Sequence, residues 1–314
     1  MRKLLTLSLL AVSYQSASAT SLLETFGSGD NAFSMEFVTI GSPGNAADTT
    51  GSPNSAGSVA YTYNLGIYEV SRVQITKANL GIMMAEMGSY GGNGANRPAT
   101  GVTWYDAAKY VNWLNTSTGG TAAYKFDGSG TFQLWSAGDA GYNANNQFRN
   151  SLAKYVIASS NEWYKGAYGN RDGTWNNYAT GSDSLPTAVS SGAAANTAVY
   201  GGRSGPADIT SAGGLSPWGT MGQGGNVWEW NETAYDGINN AAGESRELRG
   251  GSWYFNSSGL GASSRFSYNP PYETFDFGFR VASVPEPSTG LLVLLGLGGL
   301  LLKRRKTVTV YFFY

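Results

Sequence analysis

Gly224-Gly-Asn-Val-Trp-Glu-Trp230 is answered about twenty residues later by Leu248-Arg-Gly-Gly-Ser-Trp253. Glycines beside tryptophans place bare backbone against large rings, because only glycine lets two chains approach so closely. Val227, Trp228 and Trp230 around Glu229 read as a short strand carrying one carboxylate among apolar neighbours. A carboxylate in that setting has to be satisfied by an arginine, by backbone N–H groups or by a metal ion. Two readings therefore stand side by side: a core strand with a paired Glu229, and Glu229 as a metal ligand.

The composition narrows the chemistry. The 314 residues include 44 Gly, 9 Trp, 20 Tyr and 13 Phe, and only 13% are charged. That balance suits strands and irregular loops better than a helical bundle, and the length allows one large domain with a sizeable core. Cys and His are both absent, which excludes disulfides, ordinary zinc sites, thiol nucleophiles and His acid–base relays. Six of the 20 basic residues (Arg2, Lys3, Lys303, Arg304, Arg305 and Lys306) sit near the ends, whereas all 21 acidic residues lie between them, so the span between carries 14 − 21, or −7. A negative body without a basic patch argues against nucleic acid as a partner.

Along the chain, Arg2 and Lys3, the apolar run Leu4–Val12 and Ala17-Ser18-Ala19 form a secretory signal with cleavage expected between Ala19 and Thr20. Asn31–Ile40 and the alternating Val59–Val70 read as strands, and Ser71 as a helix entry. Thr103-x-x-Asp106 and Ser159-x-x-Glu162 are capping boxes; the first precedes Ala107, Tyr110, Val111 and Leu114 on one helical face. Thr116–Asn150 is a Gly/Asn/Ser-rich insert with room for one hairpin. Asn170–Gly219 is an oxygen-rich stretch of a kind that calcium often pins, or a plain variable surface loop. Arg246, Arg249, Arg265 and Arg280 lie among aromatics and are expected to be structural, with Arg249 or Arg280 the partner of a buried carboxylate. Paired-carboxylate hydrolysis would draw on Asp106, Glu162, Glu229 and Glu232, though nothing in the sequence marks two of them as facing one cleft.

Gly225-Asn-Val-Trp-Glu-Trp230, Leu248-Arg-Gly-Gly-Ser-Trp253 and Gly278-Phe-Arg-Val281, in this order and spacing, resemble the formylglycine-generating enzymes, also called sulfatase-modifying factors. Weaker likenesses upstream carry the resemblance from Met35 to Val281. It implies an α+β, single, irregular and loop-rich domain over residues 31–282, of the C-type lectin-like fold. The family's catalysts oxidise a peptide cysteine with copper held by two cysteines. Those positions are filled here by Phe255 and Leu260, so no copper and no catalytic residue are expected. The histidine-dependent branch of the family is likewise excluded. The resemblance also implies structural calcium. One set would be Gly225, Val227 and Glu229, with Gly222 where a further oxygen ligand is usual; a second would be Asn177, Tyr178 and Asn196.

The tail, Val284-Pro285-Glu286-Pro287, an apolar run 290–302 and a basic end 303–306 that includes Arg304 and Arg305, closely resembles the PEP-CTERM sorting signal. It implies an exosortase partner and a Gram-negative bacterium that exports exopolysaccharide. A thirteen-residue helix spans about 20 Å against a hydrocarbon core of about 30 Å, so membrane contact is expected only through this hydrophobic helix, and only in transit. Thr307–Tyr314 matches no motif. The expectation is an exported, non-catalytic module of the cell surface or matrix that binds exopolysaccharide or a surface protein. The alternatives are a peptide-cysteine oxidoreductase and a purely structural matrix protein.

Overall fold

A computed structural model describes residues 21–53 and 55–285. The secretory signal with Ala19 and Thr20, the sorting residues Glu286, Pro287, Arg304 and Arg305, and the expected apolar helix lie outside the described residues. Among the described residues, no helix is long and apolar enough to cross a membrane.

Two sheets carry the fold. The first contains β1 (Ser21–Phe26), β2 (Phe33–Ile40), β3 (Tyr63–Gly66), β6 (Tyr155–Ile157) and β13 (Val281–Ser283), in the order β1-β2-β3-β13-β6 and antiparallel throughout. The second contains β9 (Trp228–Ala234), β10 (Arg246–Arg249), β11 (Phe266–Tyr268) and β12 (Phe277–Phe279), in the order β11-β10-β9-β12, with β12 parallel to β9. Hairpin β4–β5 (Lys125–Phe126 with Phe132–Gln133) is the one expected in the Gly/Asn-rich insert. The last small pair is β7 (Thr187–Ala188) with β8 (Thr197–Ala198).

The helices begin where their caps predict. α1 (Arg72–Ala78) starts at Ser71 with Gln74 closing the box, α2 (Trp104–Ser117) at Thr103 with Asp106, and α3 (Ser160–Tyr168) at Ser159 with Glu162. In each, the cap and the third residue satisfy one another's free N–H groups. Ala107, Tyr110, Val111 and Leu114 are all buried, as the helical spacing requires. Two indoles staple α2 and the segment before it to β9: Trp104 Nε1 donates to the Asn231 carbonyl and Trp230 Nε1 to the Val102 carbonyl, both at 3.0 Å.

Two strand expectations change. β1 pairs with β2 over six residues, yet Ser21–Phe26 alternates poorly and abuts the signal, so no strand was expected there. Val59–Val70 pairs only over Tyr63–Gly66, because the chain then turns to present the Gly66 and Ile67 carbonyls to Arg280.

Candidate functional site

Glu229 lies on the central strand of the second sheet, in register with Arg249 on β10 and Gly278 on β12. The parallel run of β12 ends at Arg280, and β13 begins at the next residue in the other sheet. Arg280 therefore sits at the switch between sheets, and its guanidinium reaches both. Nε and Nη2 donate to the two Glu229 oxygens at 2.6 Å each, Nη1 to the Gly66 and Ile67 carbonyls at 2.9 and 3.1 Å, and Nη2 to the Met221 carbonyl at 2.9 Å. Trp163 Nε1 adds 2.7 Å to Glu229. Of the two arginines expected to satisfy the buried carboxylate, Arg280 is the one that does; Arg249 pairs with Glu247 instead.

A second carboxylate, Glu69, is buried beside this pair. Asn226 Nδ2 bonds both its oxygens at 3.0 Å. Burial, and then the nearby Glu229 charge, push the Glu69 carboxyl well above the usual range against the opposing pull of Arg280 and Asn226. Gly222 makes room for it: φ is +79°, and a Cβ there would lie 2.8 Å from Glu69 Oε2. Gly225 and Gly250 show the close approach anticipated from the motif. Gly225 N donates to the Gly250 carbonyl at 2.7 Å, and a Cβ on Gly250 would meet the Trp163 ring at 3.3 Å.

The first calcium set does not fit the ion as placed. Both Glu229 oxygens already accept from Arg280 and Trp163, and the space beside Gly222 is taken by Glu69. In the second set, Asn196 Oδ1 accepts from Thr180 Oγ1 at 2.8 Å, Asn177 N donates to Asp183 Oδ1 at 2.9 Å, and Tyr178 N donates to the Ser182 carbonyl at 3.0 Å. Among the described residues, no group of three or more Asp or Glu side chains converges as a metal site would.

The candidate acids of a hydrolase are tied up in structure. Glu162 and Glu232 do come together, but around Arg149, which donates to Glu162 at 2.9 and 3.0 Å and to Glu232 at 2.7 Å. Tyr61 and Tyr124 donate to the same carboxylates. Burial alone would raise the Glu162 carboxyl, yet Arg149 outweighs it and holds it at about 2. Asp106 caps α2. The other arginines are structural as expected: Arg246 lies over the Phe148 and Trp104 rings at 3.9 and 4.5 Å, and Arg265 pairs with Glu247.

Over the second sheet an aromatic cleft of about 210 Å³ opens to solvent. Trp228 and Phe277, both buried, form its floor. Its rim carries Tyr254, Phe255, Phe266, Tyr268 and Tyr272, exposed by 38–55%. Phe266 and Tyr268 fall two apart on β11 and so share a face. Tyr268 and Tyr272 stack at 4.4 Å and 9°, and Phe255 stands edge-on to Trp228 at 5.6 Å and 83°. One charged side chain lines the cleft: Asp276, which accepts from Ser252 Oγ at 2.7 Å and whose carboxyl is raised by burial. Of the two positions where copper ligands were expected to be missing, Phe255 forms part of this rim, while Leu260 is buried with Ala198 and Tyr200. Sequence reading missed Arg149, Glu69 and Asp276 as site-forming residues; the period-two aromatics of β11 were the one local signal of the cleft.

A family model described as the sulfatase-modifying factor enzyme 1-like domain matches residues 42–284, and one described as the PEP-CTERM protein-sorting motif matches residues 283–306. No curated protein matches the chain. Similar solved structures include Treponema denticola variable protein 1, at 19% identity over 85% of this chain and 100% of that one, with a TM-score of 0.57. PvdO from Pseudomonas aeruginosa shares 17% identity over 83% and 98%, with a TM-score of 0.52. CarF shares 21% over 71% and 87%, at 0.51. At these identities the likeness is one of fold.

Proposed function

The chain belongs to the sulfatase-modifying factor enzyme 1-like family, and from that premise we propose that it is a non-catalytic binding module of the cell surface or exopolysaccharide matrix. Its fold is the C-type lectin-like variant of that family, and its sorting motif marks an exported protein handled by an exosortase. The proposal concerns what happens after export.

The observation that carries it is the cleft. Five exposed rings gathered around one opening form an apolar patch of the kind that soluble surfaces keep for a partner. Phe255 at a family copper position supports binding over oxidation, since a phenyl ring offers copper no ligand. The ligand is a polysaccharide, whose sugar faces stack on Tyr and Trp, or a protein partner. Calcium enters the proposal only through Asn177, Tyr178 and Asn196.

The test is binding of the full chain to the producing organism's exopolysaccharide and surface extract, with and without a chelator, beside a Tyr268→Ala variant. Saturable binding that Tyr268→Ala abolishes is the expected result, and its loss on chelation would bring calcium in. Absence of binding would leave a passive matrix role. A mass shift in a Cys-x-Pro-x-Arg peptide would overturn the non-catalytic reading.

A further inference from the structure

We propose that the aromatic cleft accepts the guanidinium of an arginine side chain from a partner protein, with Asp276 as its countercharge. This rests on the binding-module reading and names the ligand chemistry at the same site. Three observations converge on it.

The first is charge. Asp276 is the one charged residue among those lining the cleft, no Lys or Arg lines it, and the span 4–302 carries a net −7. Asp276 is buried and has a hydroxyl, Ser252 Oγ, as its side-chain partner rather than a cation. Of the other buried acids described above, Glu229, Glu162, Glu232 and Glu247 each have an arginine; Glu69, like Asp276, has a neutral partner, but it does not line the cleft. Asp276 is thus a buried acid whose cationic partner is open to being supplied from outside, where removing it from water costs least.

The second is the wall chemistry. Tyr254, Tyr268 and Tyr272 line the same cleft as Asp276, and a planar guanidinium stacks on aromatic faces while it forks onto a carboxylate. A lysine ammonium gains the attraction but not the stack.

The third is size and polarity. At about 210 Å³ the cleft is smaller than the roughly 300–1,000 Å³ of ordinary small-molecule sites. Apart from Asp276 and the tyrosine hydroxyls, Thr274 is its one hydroxyl-bearing side chain. A sugar ring buried here would leave most of its hydroxyls without partners, which is costly. A single side chain with a flat cationic end matches the space and the polar groups together.

The experiment titrates the full chain with N-acetyl-arginine amide and with its neutral isostere N-acetyl-citrulline amide, by calorimetry and saturation-transfer NMR. The expected result is millimolar binding of the arginine probe, at least about tenfold weaker for citrulline and for Asp276→Asn, as loss of a desolvated charge pair requires. Asp276 is buried, so a second variant, Tyr272→Ala on an exposed ring, covers the case in which Asp276→Asn unfolds; it too should weaken the arginine probe. Equal binding of citrulline, or unchanged binding by both folded variants, overturns the inference. So does binding of maltohexaose in the cleft without binding of arginine. If the chain binds matrix or surface extract and the arginine probe fails to compete, the arginine inference falls and the module reading stands. If neither is bound, both fall.

Discussion

Replacing Arg280 by lysine keeps the charge and breaks the geometry, and the cost can be worked out from the hydrogen bonds. A guanidinium has five N–H donors, and Arg280 spends all five: two on Glu229, and one each on the carbonyls of Gly66, Ile67 and Met221. A lysine has three donors radiating from one atom. Five contacts against three donors lose at least two hydrogen bonds, although Glu229 Oε2 keeps Trp163 and the Ile67 carbonyl keeps the Met221 N–H. At about 0.5–1.5 kcal/mol per bond, Arg280→Lys should cost about 1–3 kcal/mol. Against a total stability of roughly 5–15 kcal/mol this is a large fraction. In urea unfolding followed by tryptophan fluorescence, with a slope of about 3 kcal/mol per M, the midpoint should fall by about 0.3–1 M at an unchanged slope.

A companion pair of variants separates charge from geometry. Arg280→Met leaves Glu229 fully buried without a cation and should cost about 3–5 kcal/mol, whereas adding Glu229→Gln removes the orphaned charge and should restore part of the loss. An Arg280→Lys protein within about 0.5 kcal/mol of the parent, the range of an ordinary surface change, would refute the account of Arg280 as the clamp between the two sheets. A double variant no better than Arg280→Met would refute the charge half of it.

The remaining expectations are shorter. Gly222→Ala places a Cβ at positive φ and 2.8 Å from the Glu69 carboxyl, so thermal unfolding should show a loss of about 1–3 kcal/mol. Glu162 has its carboxyl held at about 2 against 4.5 for the free group, burial raising it and Arg149 outweighing burial. A depressed carboxyl pKa contributes stability above 4.5 that drains away as pH falls toward 2. The amount is on the order of 3 kcal/mol, and acid titration of Glu162→Gln should show that part of the slope missing.

The legible parts of this chain were those in which a residue's partner lies a turn away. Thr103 with Asp106 and Ser159 with Glu162 closed their boxes where three-residue spacing placed them, and the buried face of α2 followed from its period. The paired glycines also told truly of close approach: Gly225 lies against the Val199 backbone, and Gly250 against the Gln223 carbonyl and the Trp163 ring. Glu229 was recognised as needing a partner, and two candidates were named, but the choice between Arg249 and Arg280 depends on which strand turns into the other sheet. No local pattern encodes that. The same limit hid Arg149, whose insert has no apolar period and whose partner Glu232 lies 83 residues away.

The cleft was hidden for a different reason. Nothing in the sequence says whether Phe266, Tyr268 and Tyr272 are core or rim; burial is decided by whether another layer arrives to cover them. α2 covers the Trp230 end of this face of the second sheet through two indole hydrogen bonds; toward Trp228, two residues back on the same face, the rim rings stay exposed. At that end Phe255 stands where the resemblance places a copper ligand, and Asp276, immediately before β12, lines the same cleft. A surface that evolved only to be inert would favour polar residues on such a face. Five exposed rings around one buried acid are a solubility cost that a partner would relieve, and the proposed binding role rests on that.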